Sequence, residues 1–319
     1  FGSSDTYWEQ HFVGRFSCFH PWSLMACCPA GAEPYLAADH KDEGCKGQAD
    51  GVHYYHVGEG SVGLLLLSDI YGWNSGRLRA IADSFAKKGF SVWIPAVMDP
   101  LEGGTDGDGL PPGFNVPARF KELVALTAPA GPWNPEGVTV AKAEKVVQAM
   151  AASGVTKFGL IGFCYGGWLG MHLAGRLPPQ QLVCACGAHP SIVAGETGVG
   201  KDPIALTAKS NCPWALFPCG DPAAGGLSEG PEYDAGGQLF EALEAKFPGA
   251  NLTRRFREMN HGFVTRGSIE GDKGQETAAA IRDFVQEAQA FFESRSLRPR
   301  ASAGCWPCSG MLKLLRRGR

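Results

Sequence analysis

A single cysteine lies at the centre of a glycine-rich turn in the middle of the chain. The stretch FGLIGFCYGGWLGMHLAG, Phe158 to Gly175, begins with an apolar run, passes through Cys164 and continues with a helix-like pattern. Gly162 and Gly166 flank the cysteine at minus two and plus two, so the turn can close without a Cβ clash and expose the thiol at a strand end. The amino end of the following helix would favour an anionic thiolate. This strand–turn–helix context predicts a nucleophilic cysteine.

A thiol nucleophile needs a base, and a carboxylate usually orients that base. When the triad runs in the order nucleophile, acid and histidine, the histidine follows the last strands of the sheet. Of the eight histidines, His261 has that place, in REMNHGFVTRG. The acid is expected after a strand between the cysteine and the histidine. Asp221, at the end of PWALFPCGDP, is the predicted acid, and Asp234 is the competing candidate.

A second group of candidate residues follows the first long apolar run. The stretch LLLLSDIYGW places Asp69 and Ile70 at the end of that run. In this order of elements, a backbone N–H from the loop joins the N–H after the nucleophile to stabilise a developing oxyanion. Ile70 and Tyr165 are therefore the predicted donors. For Asp69, we predict a proton partner of the thiol, with a cap within its own loop as the alternative.

The elements that must position these residues alternate along the chain. Apolar runs typical of strands buried on both faces alternate with helical spacings that end at glycine. The predicted strands are 62–68, 90–96, 157–162, 181–189, 213–220 and 251–259, and the predicted helices include 75–89, 138–154, 165–175, 232–249 and 274–295. Such alternation predicts an α/β fold with a mostly parallel central sheet and helices on both faces, and active groups at the carboxyl ends of the strands.

Length and composition favour one large domain. The chain has 319 residues, of which 44% are hydrophobic, and this is enough for a single core. We predict a poorly ordered extension at 1–35, the α/β domain at 36–296 and a basic tail at 297–319, which carries six basic residues and no acidic one. The tail lacks an apolar period, so we expect it to stay out of the core. Residues 1–24 precede a natural-looking start at Met25, and we expect them to be upstream sequence or a transit segment.

Charge, hydropathy and cysteine usage exclude several classes of function. A net charge of -3 argues against nucleic acid as a partner, and no apolar run reaches the ~18 residues of a membrane span. Many of the 11 cysteines lie in apolar runs, which is typical of a reducing compartment and predicts a cytoplasmic protein. The pairs Cys27–Cys28 and Cys305–Cys308 lack the second half of a metal site. We therefore expect no metal and no cofactor, and the oligomeric state stays open.

Three motifs together resemble one known family. GFCYGG, SDIYGW and HGFVTRG are similar to motifs of the dienelactone hydrolase (carboxymethylenebutenolidase) family of the α/β-hydrolase fold, and CCPAG and AHPS are similar to its eukaryotic members. The resemblance covers about Met25 to Ser296. It implies a Cys-His-Asp triad, an acyl-enzyme, and a carboxylate near the thiol at the position of Asp69. It also implies that Arg266, five positions after His261, holds a substrate carboxylate.

The leading interpretation is a hydrolase of small lactones or carboxylic esters, with a substrate that could itself be carboxylated. A thioesterase or another acyl hydrolase could use the same triad, and a pocket that the sequence does not reveal would separate these enzymes. A third interpretation is a non-catalytic thiol-rich scaffold or redox protein. The combination of Cys164, Asp221 and His261 disfavours it.

Overall fold

The computed structural model describes residues 40–223 and 229–299. The predicted extension at 1–35 and the tail from residue 300 onward lie outside these residues. Eight strands form one sheet in the order β1-β2-β4-β3-β5-β6-β7-β8. They are β1 (Cys45–Ala49), β2 (Val52–Val57), β3 (Val62–Leu67), β4 (Ser91–Pro95), β5 (Lys157–Phe163), β6 (Leu182–Ala188), β7 (Trp214–Phe217) and β8 (Leu252–Thr253).

Helices connect the parallel strands. They are α1 (Leu78–Ala86), α2 (Phe120–Thr127), α3 (Val140–Ala152), α4 (Tyr165–Ala174), α5 (Ile192–Gly198), α6 (Pro203–Thr207), α7 (Gln238–Lys246), α8 (Phe263–Arg266) and α9 (Asp272–Ser294). A π-helical turn, Pro135–Thr139, precedes α3, and a 3-10 turn, Pro231–Tyr233, precedes α7. Within the described residues, no helix combines the length and the apolar character that crossing a membrane requires.

The core has two apolar layers, one on each face of the sheet. Along β3 every residue is buried. Leu65 and Leu67 belong to one apolar cluster, whereas Leu64 and Leu66 belong to the other, because successive side chains of a strand point to opposite faces. Helices α3 and α4 cover the first layer, and α1 and α9 cover the second. This double burial explains why β3 reads as an unbroken apolar run.

The observed architecture confirms the predicted α/β class with a mostly parallel sheet. Only the β1–β2 and β2–β4 pairings are antiparallel within the described sheet. The predicted strand 251–259 is shorter than expected, because only Leu252–Thr253 forms β8 and an isolated bridge joins Phe256 to Cys219. The expectation that the tail stays out of the core is wrong for Leu297, which is fully buried in the second layer.

Candidate active site

Cys164 occupies the sharp turn between β5 and α4. Its backbone has φ +52° and ψ -115°, a strained conformation that non-glycine residues rarely adopt. A Cβ on Gly162 would lie 2.3 Å from the carbonyl oxygen of Gly166, and a Cβ on Gly166 would lie 2.1 Å from that of Leu67. Both positions therefore need glycine, as the sequence predicted, and the strand and helix close tightly around the cysteine.

The partner of His261 is Glu229. Nδ1 of the imidazole and Oε1 of the carboxylate are 2.6 Å apart, and both side chains are buried. The other carboxylate oxygen, Oε2, accepts a hydrogen bond from the backbone N–H of Cys219 at 2.5 Å. The carboxylate is thus held between the end of the β7 segment and the histidine.

Asp221 does not reach the histidine, so its prediction as the acid is wrong in this geometry. Its side chain is 43% exposed, accepts from the backbone N–H of Ala223 at 3.0 Å and lies 3.5 Å from the guanidinium of Arg257. The competing candidate, Asp234, accepts from Arg255 at 2.8 Å. The carboxylate that contacts His261 belongs to Glu229, which comes later than Asp221 in the loop that follows β7.

Arg255 fixes the two loop segments that carry Glu229 and its neighbour Cys219. Its guanidinium donates to the carbonyl oxygens of Cys219, Gly220, Glu229 and Gly230 at 2.8–3.2 Å, in addition to Asp234. Five donors in a rigid fork suit such a cluster of acceptors. No spacing in the sequence predicts the contacts of Arg255 or the pairing of Glu229 with His261. A carboxylate in the loop between β7 and α7 was a possible signal for the partner of the histidine.

The electrostatics of the site favour a charged histidine. Burial alone would lower the pKa of His261, but the charges and hydrogen bonding of Cys164 and Glu229 outweigh it and raise the pKa to about 10. Nε2 of His261 lacks a well-formed hydrogen bond within the described residues. The thiol is nevertheless close enough for its charge to act on the imidazole. This is the environment of a thiolate–imidazolium pair.

A second buried histidine, His189, lies against the first. The two ring centroids are 5.0 Å apart, in an edge-to-face arrangement. Burial, reinforced by the positive charges of His261 and Arg266, lowers the pKa of His189 well below its usual range. Its ring therefore stays neutral, and neither of its nitrogens has a hydrogen-bond partner in the described parts of the chain. Sequence reasoning assigned it no function.

Asp69 and Arg266 form a fully buried ion pair. Nε of Arg266 donates to Oδ2 of Asp69 at 2.9 Å, and the hydroxyls of Thr265 and Ser75 donate to the same oxygen at 2.9 and 3.1 Å. The backbone N–H of Tyr71 donates to Oδ1 at 2.9 Å. The sequence did not predict the ion pair, whereas the hydrogen bond from Tyr71 is the cap within its own loop that was the alternative for Asp69. These contacts hold the carboxylate of Asp69 against the guanidinium of Arg266, and the exchange of a proton between Asp69 and the thiol stays a prediction.

The two predicted oxyanion donors lie on neighbouring elements. The tight contact between Gly166 and Leu67 brings the start of α4 against the end of β3, so the turn after β3, with Ile70, approaches the first residue of α4, Tyr165. Within the described residues, no protein group accepts a hydrogen bond from the backbone N–H of Ile70 or from that of Tyr165. Two such N–H groups beside a nucleophile can stabilise a negative oxygen.

One group of buried side chains could hold a metal ion. The ligand atoms of Cys219, Glu229 and His261 all lie within 4.8 Å of one another. A thiolate, a carboxylate and an imidazole are a donor set that zinc accepts. Two of the three atoms are already joined by the short His261–Glu229 hydrogen bond, which accounts for their proximity without an ion.

A mostly parallel sheet with a cysteine in a strained strand-to-helix turn and a histidine–carboxylate pair defines an α/β-hydrolase. The model of the "Dienelactone hydrolase family" matches residues 50–295, more than half of the chain, and the chain belongs to that family. The predicted resemblance is confirmed, and the protein is a hydrolase of carboxylic esters or lactones.

Individual relatives agree with this assignment. A Synechocystis protein named "Putative carboxymethylenebutenolidase" is 24% identical over 233 residues, which cover 72% of this chain and 85% of the relative. "Hydrolase tropI" of Talaromyces stipitatus is 27% identical over 239 residues, covering 72% and 81%. The crystal structure of a Klebsiella pneumoniae protein named "Putative Dienelactone Hydrolase" superposes with a TM-score of 0.56 at 19% identity, covering 78% of this chain and 98% of that one. This last likeness shows the fold.

Proposed function

We propose that this protein hydrolyses small lactones or carboxylic esters through an acyl-enzyme on Cys164, with His261 as acid and base and Glu229 as the orienting carboxylate. The observation that carries the proposal is the 2.6 Å contact between His261 and Glu229 beside a cysteine in a strained turn. Here a Cys-His-Glu triad replaces the Cys-His-Asp triad that the resemblance implied.

In the first half-reaction, the thiolate of Cys164 attacks the carbonyl carbon, and a C–S bond forms as the carbonyl π pair moves to the oxygen. The backbone N–H groups of Ile70 and Tyr165 stabilise that oxyanion. As the tetrahedral intermediate collapses, the C–O bond to the leaving group breaks and the imidazolium of His261 protonates the departing alkoxide. In a lactone the leaving alkoxide stays attached to the acyl group.

In the second half-reaction, neutral His261 takes a proton from water, and the resulting hydroxide attacks the thioester carbon. Collapse of the new intermediate breaks the C–S bond and regenerates the thiolate and the imidazolium. Glu229 stabilises the imidazolium in both halves, because its carboxylate accepts a hydrogen bond from Nδ1–H and stays ionised. The product of a lactone is a single hydroxy acid.

Arg266 is proposed to select carboxylated substrates. The guanidinium of Arg266 is buried, and Arg266 follows the base, His261, by five residues. A carboxylate of the substrate would share this guanidinium with Asp69. Removing Arg266 would leave Asp69 buried and unpaired, which is strongly destabilising. Arg266→Lys retains a charge but not the planar fork. It should raise the KM for a carboxylated lactone and leave that for a neutral aryl ester nearly unchanged, whereas equal effects would assign Arg266 to support of the loop.

The test of the reaction class is a panel of aryl esters, lactones and acyl thioesters, assayed with the wild type, Cys164→Ala and Cys212→Ala. The control thiol, Cys212, is buried just before β7, at the opposite end of the sheet from the turn. We expect turnover of esters or lactones by the wild type and the control and none by Cys164→Ala. A folded, active Cys164→Ala enzyme would overturn the mechanism. A strong preference for thioesters would favour the thioesterase alternative.

The remaining parts of the prediction rest on the sequence. We propose a cytoplasmic location from the cysteine usage of the sequence. The thiols of Cys184, Cys186 and Cys219 are free and buried, and burial raises their pKa values well above the ordinary range. Cys45, in contrast, is disulfide-bonded, which is rare in a reducing compartment. We propose a small molecule as the partner, without nucleic acid or membrane.

A further inference from the structure

A serine hydroxyl lies beside the thiol of Cys164. Oγ of Ser191 is 3.5 Å from Sγ of Cys164, and the hydroxyl is placed to donate. Serine directly before a helix usually caps it, because its hydroxyl accepts a hydrogen bond from an N–H of the first turn. Ser191 precedes α5, yet its side chain makes no such cap. The hydroxyl is directed to the sulfur instead of to its ordinary local partner.

The backbone holds this serine against the turn. The N–H of Ser191 donates to the carbonyl oxygen of Cys164 at 2.9 Å, and the N–H of Cys164 donates to the carbonyl oxygen of Ala188 at 3.2 Å. Between these two contacts, Pro190 packs so closely on α4 that a Cβ on Gly167 would lie 2.6 Å from the Cβ of the proline. Two hydrogen bonds and one packing contact therefore fix the hydroxyl relative to the sulfur.

Two other groups that interact with the thiol, His261 and Cys219, are titratable. Cys164 raises the pKa of His261, and it contributes to the raised pKa of Cys219, for which burial and Glu229 are the larger causes. Ser191 differs from these groups because it is neutral and can donate a hydrogen bond at any pH. Hydrogen bonds to an ionised acceptor are stronger than those to a neutral one, so a fixed hydroxyl favours thiolate over thiol.

We propose that Ser191 donates its hydroxyl hydrogen to the thiolate of Cys164, and thereby increases the thiolate fraction and fixes the direction of the sulfur. This role deepens the proposed function, on which it rests, because the sulfur is the nucleophile of that reaction. The proton of Ser191 is not transferred during the cycle. The hydroxyl stabilises the thiolate before attack and again when the C–S bond of the acyl-enzyme breaks.

The experiment measures how fast iodoacetamide alkylates Cys164 as a function of pH, with the modified peptide quantified by mass spectrometry so that other cysteines do not interfere. The matched pair is Ser191→Thr and Ser191→Val, because threonine and valine have nearly the same shape but only threonine keeps the hydroxyl. Ser191→Ala accompanies them. Ser153→Ala is the control, since that hydroxyl donates to Met150 at the far end of the sheet.

We expect the midpoint of the alkylation profile to rise by about one pH unit in Ser191→Val and Ser191→Ala, which is about tenfold less thiolate below the midpoint. Ser191→Thr should keep a profile close to that of the wild type, and Ser153→Ala should match it. Equal profiles for the threonine and valine variants, in proteins with equal Tm, would overturn the proposal.

The alkylation assay needs no substrate, so the two proposals fail separately. If the wild type hydrolyses no ester or lactone but the hydroxyl still shifts the profile, the role of Ser191 stands and the proposed reaction fails. If hydrolysis is found and the profile does not depend on the hydroxyl, the proposed reaction stands and the role of Ser191 fails. Should Ser191→Ala fold poorly, the threonine and valine pair decides, because both fill the space beside the sulfur.

Discussion

Replacing Glu229 by glutamine should inactivate the enzyme by reversing the proton arrangement on His261. The backbone N–H of Cys219 donates to Oε2, and only the carbonyl oxygen of a glutamine can accept it. The amide nitrogen must then take the place of Oε1, where it donates to Nδ1 of His261 at the former 2.6 Å contact. The imidazole proton moves to Nε2, which faces the thiol and can then no longer accept a proton.

The expected loss follows from the tautomer and the charge. A triad histidine that is held in the wrong tautomer costs about 10⁴-fold in rate, so we expect Glu229→Gln to lower kcat by about 10³- to 10⁴-fold. This corresponds to about 4–5.5 kcal/mol at ~1.36 kcal/mol for each factor of ten. The pKa of His261 should also fall from about 10, because the carboxylate charge is lost.

The assay compares initial rates with an aryl acetate for the wild type, Glu229→Gln and Asp221→Asn, with Tm values for all three. The half-exposed Asp221 lies 3.5 Å from Arg257, and exposed pairs contribute about 0–1 kcal/mol, so Asp221→Asn should stay within about twofold of the wild type. A larger loss in Asp221→Asn than in Glu229→Gln would show that the aspartate is the triad acid and that the reasoning is wrong.

Three further predictions concern the turn, the pH dependence and the tail. Gly166→Ala places a Cβ 2.1 Å from the carbonyl oxygen of Leu67, so it should lower both Tm and kcat, whereas Gly137→Ala, with open space around it, should lower neither; equal Tm values would contradict the clash. The raised pKa of His261 keeps the imidazolium up to about pH 10, so kcat/KM should persist from neutral pH and fall above pH 10; a fall near pH 7 would refute the charged pair. Leu297→Ala should destabilise the fold by about 2–5 kcal/mol in urea unfolding, while truncation after residue 299 should change the free energy of unfolding by less than ~1 kcal/mol; the reverse order would place the stabilising contacts of the tail in residues 300–319 instead of at Leu297.

The sequence was sufficient for those parts of the site that depend on local structure. Cys164 was predictable because the strand, the flanking glycines and the helix follow one another within 18 residues. The fold class was predictable because β3 and the other central strands are buried on both faces and read as apolar runs. His261 was predictable from chain order alone.

The carboxylate that pairs with His261 was not predictable, because loop geometry decides which one reaches the imidazole. The nearest carboxylate after β7, Asp221, is at the surface, and Glu229 reaches the histidine only because Arg255 binds carbonyl oxygens from both loop segments. The first hairpin was missed for a different reason. β1 alternates half-buried and exposed residues over five positions, so it has no apolar run that distinguishes it from a loop.

The Arg255 contacts connect Glu229 to the shortest strand of the described sheet, which lies at its edge. Arg255 follows β8, a strand of two residues at the end of the sheet, and short edge elements open with less free energy than the core. When this edge frays, the guanidinium leaves the carbonyl oxygens that fix the loop, and Glu229 loses its alignment while the central strands stay intact. On heating, hydrolysis should therefore stop several degrees before the circular dichroism of the helices is lost.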